Sequence, residues 1–176
     1  MHKKTTIKLS LSMLGILFLL LITAPELIAY GWQAIHGKEA TLGNLSLKLE
    51  PGWIVIRGGA ARLREDMLVR SSNETSIFAK PIGCQTDESA AAILLRLRAA
   101  IAKQHSALPT FASILIGGKH ASCFIVVSED SSDAVETSCI SPSRQSLISI
   151  HSRLKDQAEA IHILQSAHET SNCPQQ

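Results

Sequence analysis

Four cysteines, Cys84, Cys123, Cys139 and Cys173, and seven histidines have the widest chemical reach in this 176-residue chain. Thiols can bind zinc, cycle as a redox dithiol or close disulfides, and spacing separates these uses. Zinc and redox sites draw on cysteines two residues apart, a spacing no pair here has. Among the histidines, His105, His120, His151, His162 and His168 lie beyond residue 100. His162 and His168 are not three or four positions apart, the spacing that places two ligands on one helical face. No serine stands in a Gly-x-Ser-x-Gly elbow, and Gly58-Gly59 and Gly117-Gly118 lack the rest of a phosphate loop. Glu129, Asp130 and Asp133 read as solvated turn residues rather than a calcium site. No catalytic residue, metal ligand or cofactor site is assigned, and the chemistry expected is disulfide formation.

The segment that positions the central thiols is "HASCFIVVSEDSSDAVETSCIS", which alternates through two strands around a polar turn at Ser128 to Asp133. Cys123 and Cys139 are equally far from Ser131, so a symmetric register sets them opposite each other. Directly opposed strand residues come close enough for a bridge. The same register pairs Ile125 with Thr137 and Val127 with Val135, and puts Phe124 and Val126 on the other face. Closing that loop contributes about 3 kcal/mol in the chain-entropy model. Cys84 and Cys173 then pair by elimination and pin the C-terminus.

The rest of the chain reads as short strands and two helices. Strands are expected at Leu45 to Leu49, Trp53 to Arg57, Met67 to Arg70, Thr75 to Lys80, Phe111 to Ile116 and Leu147 to Ser152. A helix from Thr86 to Gln104 is capped by Thr86 and buries Ala90, Ile93, Leu94, Leu97 and Ile101, with Arg96, Arg98 and Lys103 on its solvated face. A last helix, Leu154 to Ala167, turns inward either Ala158, Ile161 and Leu164 or Leu154, Ala158 and Ile161. Residues 33–42 read as a linker, 43–168 as one globular domain and 169–176 as a polar tail.

Lys3, Lys4 and Lys8 precede the uncharged run Leu9 to Ala24, which marks residues 1–32 as a signal-anchor or signal peptide. The run is a little short of the roughly 20 residues a spanning helix needs, and Leu27 to Trp32 extend it if Glu26 sits at the interface. A retained segment leaves the basic end in the cytoplasm and Tyr30 and Trp32 at the outer headgroups. Cleavage, the alternative, falls before Trp32. Either places the domain in the periplasm, on the bacterial inner membrane or soluble after cleavage, where disulfides persist. Of 17 basic and 15 acidic residues, the first 32 carry three Lys and one Glu, so the remainder is formally neutral. It lacks the cationic excess that nucleic acid requires.

"LSLKLEPGWIVI", followed by short strands, a helix, "ILIGGKHASCFIVV" and a closing strand and helix, resembles the PsbP-like fold shared by PsbP, the Mog proteins, DcrB-type envelope lipoproteins and Eag-type secretion chaperones. The resemblance implies an α+β domain, an antiparallel β-sheet flanked by α-helices in an α/β/α sandwich, after one N-terminal hydrophobic helix. It also implies that Pro51, Gly52 and Trp53 form a turn aiming the indole into the core. Pro51 cannot donate to a ladder and Gly52 permits the sharp reversal. Members mostly bind other proteins, so a non-catalytic envelope protein with a protein partner is expected, a secretion-linked chaperone or a periplasmic immunity protein. The alternatives are a small-ligand binder or hydrolase collecting His105, His120 or His151 with an acid in one pocket, and a structural subunit of an envelope complex.

Overall fold

The structure, a computed structural model, describes residues 24–58, 66–105, 108–128 and 133–170. The expected α+β architecture is present, with antiparallel strands throughout and helices on both faces of the main sheet. Residues 24–36 are helical (α1). Glu39–Leu42 (β1) and Leu45–Lys48 (β2) form a hairpin, joined by His168–Glu169 (β10) into a three-stranded sheet. The main sheet comprises Trp53–Ile56 (β3), Met67–Arg70 (β4), Ser76–Pro81 (β5), Thr110–Ile116 (β6), Lys119–Val127 (β7), Ala134–Ile140 (β8) and Ser146–Arg153 (β9). Its strand order is β3-β4-β5-β9-β8-β7-β6.

The helix Asp87–His105 (α2) lies over β7 and β8, where Ala90 and Leu94 pack on Phe124 and Ile140, and Ile101 on Val126. Thr86 caps it as expected, its Oγ1 accepting from the Ser89 amide at 3.2 Å. The opposite face of the sheet holds the larger core. There Trp53, Leu68, Ile77, Cys123, Cys139, Ile148 and Ile150 meet the small sheet's Leu42, Leu45 and Leu47 and the helix Gln157–Gln165 (α3).

Three expectations need correction. The stretch read as a linker, residues 33–42, holds the end of α1 and all of β1, with Ala40 and Leu42 buried, because alternation over four residues suffices when the partner strand is next in sequence. In the last helix a 3-10 turn at Leu154–Asp156 delays the α-helical start, so Ala160, Ile163 and Leu164 face the core and Ala158 is exposed. Glu169, assigned to the tail, is fixed in β10 and accepts from the Ser143 amide at 3.0 Å.

Candidate functional site

The hairpin register is the one the turn symmetry predicts. Cys123 faces Cys139, Ile125 faces Thr137 and Val127 faces Val135. Cys123 and Cys139 are bonded, with Cα atoms 4.0 Å apart and both side chains buried in the larger core. Residues 129–132 of the turn, including Glu129 and Asp130, lie outside the described residues. Cys84 is disulfide-bonded; Cys173, its expected partner, also lies outside them.

At the Pro51-Gly52 turn the backbone reverses with Gly52 at φ +88°, and a Cβ there would strike the Arg70 guanidinium. Only glycine fits. The turn delivers Trp53 to the core with no exposed surface. Gln33 on α1 donates to the carbonyls of Glu50 at 2.7 Å and Trp53 at 3.0 Å. Arg70 donates to the Pro51 carbonyl and pairs with Glu159 at 2.8 Å and Glu26 at 3.6 Å. One side chain thus joins α1, the turn, β4 and α3.

The histidines do not converge. His120 on β7 bonds Ser113 Oγ at 2.9 Å, while His151 on β9 stands edge-on to Phe78. The register sets His151 opposite Glu136, which faces Val126, six residues along β7 from His120. That is about 20 Å at ~3.4 Å per residue. The side chain of His105 lies outside the described residues. Among the described residues no three His, Cys, Asp or Glu side chains cluster as metal ligands.

What the structure does assemble is a groove of about 660 Å³ between α2 and the edge of the main sheet. Because α2 packs mainly on β7 and β8, the neighbouring strand β6 is left partly uncovered on its α2 side. Phe111 is 61% exposed there, and Leu115 is also exposed. Across the groove Leu95 is 55% exposed, on the α2 stripe Asp87, Ala91, Leu95 and Arg98. The floor is Phe124, whose ring lies 4.2 Å from that of Phe111. Arg98, expected to be solvated, caps both rings, its guanidinium 5.3 Å from the Phe111 centroid and 5.9 Å from that of Phe124. One end is closed by an ion pair of Asp87 with Arg144, a non-glycine residue held at φ +62° in the turn after β8. Sequence reasoning missed this groove. Its only signal was the uncharged strand Phe111 to Ile116, apolar on both faces apart from Ser113.

No family model and no curated protein matches the chain. Among solved structures it is similar to the solution structure of cyanobacterial PsbP (CyanoP) from Synechocystis sp. PCC 6803. Identity is 12% and the TM-score 0.45, over 72% of this chain and 86% of that one.

Proposed function

We propose that this chain is a non-catalytic, membrane-tethered binding protein of the bacterial envelope, with its domain in the periplasm and another protein as its partner. The observation that carries this reading is the partly uncovered edge strand β6. Thr110–Ile116 is an edge strand of seven residues that pairs, among the described residues, with β7 alone. It has no charge, proline or bulge, the devices that keep sheet edges from recruiting another chain. A strand with unpaired amides and carbonyls beside an apolar groove suits an extended apolar segment. Such a segment adds to the sheet through its main chain and sets alternate side chains against Leu95, Phe111 and Leu115. Arg98 at the rim favours a segment that also carries an acid. It disfavours a second copy, which would bring another Arg98 to the same strip. The tether is supported by the basic start and uncharged run, and the oxidising compartment by the buried disulfide.

The test is in-cell photocrosslinking from a benzoylphenylalanine placed at Phe111 or Leu115, with Glu88 on the exposed side of α2 as control. A discrete adduct with one other protein from both β6 positions, absent from the control and abolished by a second change, Leu95→Glu, is the expected result. Adducts only between copies of this chain, or none from β6, overturn the assignment.

A further inference from the structure

Helix α1 is amphipathic in the wrong sense for a helix bathed in water. Two of its polar side chains reach toward the domain, Glu26, still half-exposed, to Arg70, and Gln33 to the backbone of Glu50 and Trp53, while His36 at its end bonds back to the Trp32 carbonyl. Ala29 between them is fully buried and Trp32 packs against the core. Its outward side is apolar. Leu27 is 56%, Ile28 63%, Tyr30 75% and Ile35 80% exposed, and Ala34 beside them is exposed as well. No charged residue interrupts that face between Leu27 and Ile35. Monomeric soluble domains rarely present so continuous an apolar strip.

We infer that this face lies in the headgroup and acyl boundary of the bilayer, so that the domain is docked on the membrane by α1 rather than suspended from a flexible linker. This rests on the tether proposed above and adds an orientation to it. The bilayer is the fitting occupant because the uncharged run Leu9 to Ala24 leads directly into α1, bringing lipid to its first turn. From Leu27 to Ile35 the helix extends about 12 Å at ~1.5 Å per residue, enough to lie along the interface with its apolar side immersed. Tyr30 has the amphipathic ring favoured at that depth. Glu26, which would interrupt the strip, is drawn away by Arg70. The same clamp fixes α1 to β4 and α3, so the membrane sets the orientation of the whole domain.

The experiment uses the full chain reconstituted in vesicles of phosphatidylethanolamine and phosphatidylglycerol. A nitroxide is placed at Ile28→Cys, Ile35→Cys or, as a water-exposed control on the far edge strand, Thr110→Cys. All are labelled without reductant so that the native disulfides survive. Flotation with the vesicles reads the tether; collision of the label with oxygen against a soluble nickel complex reads its depth. Expected are flotation of all three, and oxygen-dominated collision at the first two positions only. Flotation with nickel-dominated collision at Ile28 and Ile35 keeps the tether and overturns the docking. Protection from both colliders means that protein covers the face and overturns it too. Failure to float removes the tether itself.

Discussion

The guanidinium of Arg70 lies 2.8 Å from the carboxylate of Glu159, a contact that ties β4 to α3. It is an ion pair rather than a hydrogen bond, because the Nε–H does not point along the line to the oxygen. The Arg70 side chain is 17% exposed, whereas both its carboxylate partners remain partly in water. Arg70→Ala is expected to cost about 2 to 3 kcal/mol, less than the removal of a partner from a fully buried pair. Arg70→Lys should restore little, since one ammonium cannot serve the Pro51 carbonyl and two carboxylates through a planar fork. Urea midpoints of the three proteins check this. A lysine variant as stable as the parent would show that charge alone sufficed.

The bridge between Cys123 and Cys139 spans two central strands, so its loss acts on the register of the whole hairpin. Replacing both by alanine should lower stability by about 3 kcal/mol. Non-reducing peptide mapping should recover the two peptides joined. Peptides recovered apart from an oxidised sample would contradict the register.

These thiols were legible in the sequence because strands have a period of two and the turn between them marks a centre of symmetry. Pro51, Gly52 and Trp53 were legible because proline and glycine act locally on their own backbone. The individual strands of the main sheet and the stripe on α2 followed from alternation and helical spacing; the order of those strands did not. The rest depended on distant partners. Glu26 and Gln33 look like surface residues until Arg70 and the Trp53 carbonyl are brought to them, so the inward face of α1 could not be read. The exposure of Phe111 depends on α2 stopping one strand short of the sheet edge, which no local pattern records. The phase of α3 was lost to three residues of 3-10 helix.

Trp53 combines full burial with an indole N–H that has no hydrogen-bond partner among the described residues. Its stabilisation is therefore that of packing. Trp53→Ala should cost about 3 to 5 kcal/mol. Trp53→Phe removes an unsatisfied donor together with some volume and should lose less than half as much. Thermal melts of both variants decide the matter; equal losses would mean that the indole nitrogen is bonded after all.

Asp66 closes the base of the segment between β3 and β4. It accepts from the Gly58 amide at 2.8 Å and binds Arg57. The backbone donor first, and Arg57 second, hold its carboxyl below the ordinary aspartate value, against a smaller opposing effect of desolvation. A group whose pKa is lower in the folded than in the unfolded chain stabilises the fold fully above its unfolded value. That contribution fades as pH falls through the folded one. The amount is small, under about 1 kcal/mol, because Arg57 is exposed and the pair is screened. Melting curves of the parent and Asp66→Asn should run parallel at neutral pH and converge in acid below the usual carboxylate range. In a carbon-detected titration the Asp66 carboxyl should protonate with a midpoint below the ordinary aspartate value. A midpoint at or above that value would mean that the Gly58 contact does not persist in solution.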